Sequence, residues 1–535
     1  MKNQDWHNDV IYQIYPKSFF DTNGDGIGDI PGIISKLDYL KDLGIDDIWL
    51  SPVFVSPMKD NGYDIADYRH IDPIFGTDED MDNLLSEAKK RNLGIILDLV
   101  VNHTSSENWY FKQARLSKDN PYRNFYIWRD KPNSLESVFS GSAWEFDSQT
   151  NQYYLHLFAK EQPDLNWDNP KMRNEIYSMM NYWLDKGVKG FRMDVIENIG
   201  KDPDRGIVAN GPHLHDYLQE MNERTFGPRG GLAIGECWNS NNDNRILYLD
   251  PKRKELSMVF QFDQITAFWD EKYGKWFRKP FDLRTLKERI FAHESKDQDV
   301  AWNTLFWENH DLPRSVSIYS QPPYRKEAAK LLFAINAFLK GTPFIYQGEE
   351  LGMENGELQI SDLEDIESKN IFQVLSNDCT LNQEDVKRRI LEISRDNART
   401  PMQWDHSSTA GFSAAAKTWL PTNPNKETIN VKDEEQDKSS ILNFYKTLIQ
   451  LRLKDPVLSF GDFEPVATKG TIAAYYRGYD GHLDFVLLNL TNRKQRLPKS
   501  IRSMRGKVLL SNYYGAGFAY KRFLRPYESM IVSIK

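Results

Sequence analysis

Three acidic residues close three short apolar segments that read as β-strands: Asp194 in Gly190-Phe-Arg-Met-Asp194, Glu236 in Ile234-Gly-Glu236, and Asp311 in Glu308-Asn-His-Asp311. Arg192 stands two residues before Asp194, so on a strand both side chains face the same way. A guanidinium there lowers the carboxylate's pKa and keeps it ionised, whereas Glu236, near two further acids, is pushed up. An ionised carboxylate opposite a protonated one is the pair that glycoside hydrolysis uses, as nucleophile and general acid. A third carboxylate counters the charge of an oxocarbenium-like transition state. Taken singly, each acid is as well explained as a cap or an ion-pair partner; three of them with Arg192, His103 and His310 form a constellation. The two histidines would also suit zinc, and three carboxylates a metal pair, but no HExxH is present. Hydrogen bonds to sugar hydroxyls fit the histidines equally well. His213, His215 and His406 stand apart from the acids and read as structural or surface residues.

Strand candidates lie near residues 11, 47, 95, 190, 232, 256, 304 and 343, with amphipathic stretches such as Asp78–Asn92, Arg173–Gly187 and Lys326–Leu339 between them. Strands alternating with helices imply βαβ units and a parallel sheet. Eight units predict an α/β fold, a (β/α)₈ TIM barrel, although an open doubly wound sheet gives a similar pattern. In a barrel the chemistry sits at the C-terminal strand ends, where these acids fall. The catalytic barrel is expected over residues 1–103 and 171–456, with an inserted subdomain over 104–170 that is rich in Tyr, Trp, Ser and Asn. A polar insertion over about 353–438 precedes the last helix, and residues 457–535 read as a small C-terminal β-sandwich.

The net charge of -9 argues against phosphate-backbone binding, so no nucleic-acid partner is expected. The N-terminus has no apolar leader-like run, and the apolar stretch Leu331–Leu339 is short and carries Asn336, so no membrane span is expected. The two cysteines, Cys237 and Cys379, make no disulfide framework, and a reducing cytoplasm is the simplest context. With 14 Trp and 26 Tyr, the chain suits large cores or a site that stacks sugars. A monomer is expected.

The stretch Asp21-Thr-Asn-Gly-Asp-Gly-Ile-Gly-Asp29 begins like an EF-hand loop, but its twelfth position is Gly32 rather than glutamate. A strand-like segment, Ile11–Pro16, precedes it. Four acid or amide side chains in nine residues suit calcium, and equally suit a polar turn.

Asp98-Leu-Val-Val-Asn-His103, Gly190-Phe-Arg-Met-Asp194, Gly235-Glu236 and Asn309-His-Asp311 resemble the four ordered signature segments of the α-amylase family of glycoside hydrolases. Gln162-Pro-Asp-Leu-Asn166 and Gly341-Thr-Pro-Phe-Ile-Tyr-Gln-Gly-Glu-Glu350 resemble two more, and the first of these is similar to the oligo-1,6-glucosidase subgroup, which includes the dextran glucosidases. The resemblance runs from about residue 6 to the C-terminus. It implies a retaining mechanism with Asp194 as nucleophile, Glu236 as general acid/base and Asp311 as transition-state stabiliser. It implies that Asp60 and Arg399 pair at the pocket floor and grip a terminal glucose, which gives exo action on an oligosaccharide. Tyr63 would stack on that sugar, and Arg192, His103 and His310 would bind its hydroxyls. Val195 resembles the α-1,6-specific members, where maltases carry Ala or Thr; a β-branched residue there narrows the site, an effect of ~1–3 kcal/mol. Lys275, Trp276 and Glu367 resemble positions near the aglycone side, and Trp238 is a further expected substrate-binding residue. A structural calcium would be held by Asp21, Asn23, Asp25, Asp29 and the carbonyl of Ile27; no organic cofactor is expected. Cys237 departs from the usual residue after the acid/base and reads as a small buried filler.

The same segments recur in trehalose-6-phosphate hydrolases, which need a cationic phosphate pocket to which Lys275 and Arg278 could contribute. Sucrose isomerases carry an arginine-rich aglycone loop that Asp270–Trp276 does not show. A non-catalytic binding protein of this fold would have lost acids that stand intact here.

Overall fold

The computed structural model describes residues 6–295, 300–468 and 470–534, so the expected outer domain limits, residues 1 and 535, lie outside the described residues. Eight parallel strands run as β1 Ile11–Ile14, β2 Asp47–Leu50, β3 Gly94–Val100, β4 Gly190–Asp194, β5 Leu232–Glu236, β6 Met258–Phe260, β7 Thr304–Leu305 and β8 Thr342–Tyr346. Their order is β6-β5-β4-β3-β2-β1-β8-β7. A parallel bridge between Val259 and Asn303 joins β6 to the residue preceding β7, which closes the sheet into a barrel and removes the doubly wound alternative. Ile11, Trp49, Ile96, Ile234, Phe260 and Phe344 fill the interior, so the barrel is packed rather than hollow.

Local signals set the helices between strands. Helix Asp78–Lys90 starts with a capping box between Thr77 and Asp80 and buries Met81, Leu84 and Ala88 on one face. Helix Pro170–Lys186 has Asn169 as its N-cap and ends at Gly187, whose φ of 104° suits a left-handed cap. The chain then enters β4 through Gly190, where a Cβ would sit 2.0 Å from the Leu232 carbonyl oxygen. Only glycine lets β4 and β5 approach there, and these two strands carry Asp194 and Glu236.

The segment after β3 forms a separate layer over the strand ends. Its antiparallel sheet joins Trp128–Arg129, Trp144–Asp147 and Gln152–Leu155 around Ile127, Ala143, Trp144, Leu155 and Leu157. The polar stretch after β8 contains helices Ile366–Ser376 and Gln383–Ile393, which pack on Trp276, Leu358 and Leu363. The second helix buries only Val386, Ile390 and Ile393, which is why its sequence reads as polar.

Beyond the barrel, β9 Asp462–Pro465, β10 Ile472–Tyr479, β11 His482–Asn489, β12 Lys507–Ser511 and β13 Ser529–Ile534 form an antiparallel sheet ordered β9-β10-β11-β13-β12. Ala473, Tyr475, Val486 and Ile531 join the main core. Ala474, Phe485, Leu487 and Val532 face Leu497, Phe518 and Leu524 on the other side. Among the described residues, no helix is long and apolar enough to cross a membrane.

Candidate active site

A cavity of about 460 Å³ opens at the C-terminal ends of the barrel strands. Asp60, Tyr63, His103, Asp194, Val195, Glu236, Trp238, Lys275, Asp311 and Glu367, ten of the expected residues, line it. Arg192, His310 and Arg399 are buried behind its wall.

Arg192 organises the centre. Its Nη1 donates to Asp98 Oδ1 and Asp194 Oδ1, both at 2.9 Å, and its Nη2 lies 2.8 Å from Glu236 Oε2. The β3–β4 register, which pairs Asp98 with Arg192 and Val100 with Asp194, sets this geometry. Asp98 also accepts from Tyr63 Oη at 2.9 Å and Trp49 Nε1 at 3.1 Å.

One guanidinium therefore serves three buried carboxyls. Burial, followed by the charge of Glu236, pushes Asp194 well above the usual carboxylate range despite the opposing effect of Arg192. Burial likewise raises Asp98 to about 6. The lowering of Asp194 expected from Arg192 is thus present but outweighed. Glu236 accepts from Val195 N–H at 2.9 Å and Trp238 Nε1–H at 3.1 Å, besides Arg192, whereas Asp194 accepts from Arg192. Val195 has a φ of 36°, a left-handed conformation rare for a β-branched residue, and in it aims its N–H at Glu236.

Asp311 has the opposite electrostatics. Burial alone would raise its carboxyl, but His310, then Arg395 and Arg399, hold it well below the usual range. His310 Nε2 is 3.0 Å from Oδ2, and Arg395 Nη1 and Arg399 Nη2 are 3.0 and 3.1 Å from Oδ1. Burial pushes the His310 imidazole down to about 4. Gln13 Nε2 donates to its Nδ1 at 2.8 Å, so the neutral ring carries its proton on Nε2, toward Asp311. Burial also lowers His103 to about 4; its Nε2 donates to the Tyr63 carbonyl at 3.1 Å. Tyr63 stacks parallel to His310 with centroids 5.1 Å apart, which leaves its other face toward the cavity.

Residues 13–461 match the model described as "Alpha amylase, catalytic domain". The chain belongs to the α-amylase family. It is 50% identical to a glucan 1,6-alpha-glucosidase of Streptococcus pneumoniae serotype 4, with 100% of each chain covered. Among solved structures, it resembles a trehalulose synthase of Pseudomonas mesoacidophila MX-45 (41% identity, TM-score 0.94, 99% of each chain covered). It also resembles a variant trehalose-6-phosphate hydrolase of Bacillus licheniformis (40% identity, TM-score 0.93, 99% of each chain covered).

In this α-amylase-family chain one expected pairing changes. The ion-pair partner of Asp60 is Arg395, whose Nη2 is 3.3 Å from Asp60 Oδ1, and not Arg399. Arg399 instead donates to the His310 carbonyl at 2.9 Å and to Asp311. Arg395 and Arg399 are four residues apart, at the two ends of one helical turn, so both reach Asp311. Arg395 also binds Asp365 Oδ1 through Nη2 at 2.5 Å and lies 3.5 Å from Glu367. On the outer side, Lys275 Nζ pairs with Glu367 Oε2 at 2.6 Å, and Trp238 stacks on Phe262 at 3.7 Å. Sequence reasoning missed Arg395, Asp365, Glu197, Phe139 and Asn239. For Arg395 the signal was its spacing from Arg399; the others carry no motif. Cys237 is fully buried, and burial pushes its thiol up, as suits a filler.

The loop Asp21–Asp29 holds itself together. Asp21 accepts from the N–H groups of Gly24 and Gly26 at 2.8 Å each, Asn23 from Asp25 N–H at 2.9 Å, and Asp25 from Ile27 N–H at 2.8 Å. Asp29 caps the helix Ile30–Ser35 through Gly32 N–H. Among the described residues, no three His, Cys, Asp or Glu side chains converge as a metal site, either here or at the catalytic acids. The donor chemistry of the loop nevertheless fits calcium. Its side chains offer only hard oxygens, and each bonded carboxylate oxygen retains a lone pair. Asp21 and Asp29 are 4% and 3% exposed and form no ion pair with a cationic side chain among the described residues.

Proposed function

We propose that the chain is a retaining, exo-acting α-glucosidase that hydrolyses α-1,6-glucosidic bonds at the non-reducing end of isomalto-oligosaccharides, panose or short dextrans. The observation that carries this reading is the pair Asp194–Glu236 held on one guanidinium opposite ionised Asp311, with Asp60 in the cavity wall bound by Gln162 and Arg395. The glucan 1,6-alpha-glucosidase relative supports the linkage.

The steps follow from the geometry. Positive charge developing at the anomeric carbon favours ionised Asp194, so the shared proton belongs on Glu236 in the substrate complex. Glu236 gives that proton to the glycosidic oxygen as Asp194 attacks the anomeric carbon, and Asp311 stabilises the oxocarbenium-like state between them. Glu236 then takes a proton from water, which attacks the glucosyl ester and frees Asp194.

A phosphorylated disaccharide is a poorer fit. Lys275 is paired with Glu367, Arg395 is bound among acids, and Arg278 does not line the cavity. A dianion would meet no unpaired cationic side chain among the described lining residues. Assaying isomaltose, maltose, sucrose and trehalose 6-phosphate side by side tests this reading. Isomaltose is expected to give the highest kcat/KM; preference for the phosphate ester overturns the assignment.

A structural calcium on the Asp21–Asp29 loop belongs to the same proposal, supported by its oxygen donors and two buried acids without ion-pair partners among the described residues. Chelation is expected to lower the melting temperature by several degrees and added calcium to restore it, because a ligand bound to the native state stabilises it. A melting temperature indifferent to both treatments rules the ion out. The two free cysteines, Cys237 buried and Cys379 exposed, are consistent with a reducing cytoplasm as the site of action.

A further inference from the structure

Ladder pairing between β4 and β5 ends at Met193 and Gly235, one residue before Asp194 and Glu236. Beyond that point the two catalytic strand ends need another tie. Val195 N–H to Glu236 is one. Besides this and the Arg192 bridge, Glu197, three residues after Asp194 and 1% exposed, supplies a further tie. Its two oxygens each accept from Asn239 N–H at 3.1 Å, and its Oε1 also accepts from Asn239 Nδ2 at 2.8 Å. Asn239 lies three residues after Glu236, so one carboxylate clamps the segment that follows the acid/base to the segment that follows the nucleophile.

This clamp has a visible target. Trp238, between Glu236 and Asn239, is sandwiched against Phe262 and donates its Nε1–H to Glu236 Oε1 at 3.1 Å. The orientation of that donor depends on where the Trp238–Asn239 backbone sits. We infer that Glu197 is a positioning residue for proton donation: by holding the Trp238–Asn239 segment it fixes the hydrogen bond that aims Glu236 at the glycosidic oxygen. This rests on the reading of Glu236 as acid/base given above.

Glu197→Gln is the informative change. An amide has a single acceptor and presents N–H₂ to a site built from N–H donors, so the clamp fails while volume is kept. The step affected is protonation of the leaving group. A 4-nitrophenyl α-glucoside leaves as a stabilised phenolate and needs little proton donation; isomaltose leaves as an alkoxide and needs it fully. Glu197→Gln is expected to lower kcat/KM on isomaltose tenfold or more, with kcat/KM on the nitrophenyl glucoside changed less than threefold, because kcat/KM reports the bond-breaking step and not the later water step that also uses Glu236. Trp238→Phe keeps the stack on Phe262, removes the Nε1–H and is expected to lower kcat/KM on isomaltose as well. Asn239→Ala serves if the glutamine variant does not fold. Equal losses on both substrates, or no loss on isomaltose, overturn the inference. Wild-type enzyme inactive on isomaltose would instead overturn the functional reading beneath it.

Discussion

Asp194→Asn is expected to abolish isomaltose hydrolysis, a fall on the order of 10⁴-fold or more, while the protein folds as before. An amide cannot form the glucosyl ester, and neither Asp98 nor Asp311 can take over, since each is tied elsewhere. The fold is retained for an electrostatic reason. Asp194 lies 2.9 Å from Arg192 but shares that cation with Asp98 and Glu236, and its carboxyl is raised, first by burial and then by Glu236. Asparagine mimics the protonated acid that burial favours. The sign of the linkage is definite. A buried acid whose folded pKa lies above its unfolded value, ~3.9, imposes a stability penalty that is absent at low pH and grows as pH rises toward the folded pKa. The variant is therefore expected to match wild type near pH 4 and to melt higher than wild type toward neutral pH. For the wild-type enzyme, kcat/KM is expected to decline on the acid side while still above pH ~4, since uptake of a second proton by the Asp194–Glu236 pair leaves no ionised nucleophile. Measurable turnover by the variant, or a variant less stable than wild type at pH 7, contradicts this account.

The catalytic acids were legible because their signals are local. Period two sets Arg192 beside Asp194, and eight alternations of apolar run and amphipathic stretch require a parallel barrel whose strand ends meet. Their protonation was not legible. It depends on Asp98 arriving from β3 to compete for Arg192, and on all four groups being buried, neither of which spacing reveals. The partner of Asp60 was misread for a similar reason. Arg395 is 335 residues away in an insertion, and a choice between two arginines one turn apart is made by backbone position rather than residue type. The β-sheet of residues 462–534 was readable as strands but not as a layer with apolar contacts on both faces; its continuous apolar runs make sense only once the barrel covers one side.

Arg395→Met is expected to produce the largest loss of stability among the site residues, about 3–5 kcal/mol, because it strands a buried charge. Asp365 is fully buried and has Arg395 Nε and Nη2 at 2.8 and 2.5 Å. Burial alone would raise its carboxyl, but Arg395 and then Arg399 hold it well below the ordinary range. A depressed acid contributes stability that is full above its unfolded pKa and is lost as pH falls through the folded value. Without Arg395, burial dominates at Asp365 and the sign reverses. The deficit should then be largest at neutral pH and shrink toward pH ~4, where the stranded acid accepts a proton. Asp365 also N-caps the helix Ile366–Ser376 through Glu367 and Ser368 N–H groups, so that helix, which carries Glu367 toward the cavity, should loosen first. Asp60 and Asp311 lose a shared cation in the same change, and KM for isomaltose should rise together with a fall in kcat. Arg395→Lys keeps the charge without the fork and should recover part of the stability but less of the activity. Chemical denaturation at pH 7 and pH 4, with isomaltose kinetics on both variants, separates these outcomes. If Arg395→Met is as stable as wild type at pH 7, Asp365 draws its compensation from Arg399, and Arg399→Met must then show the deficit instead.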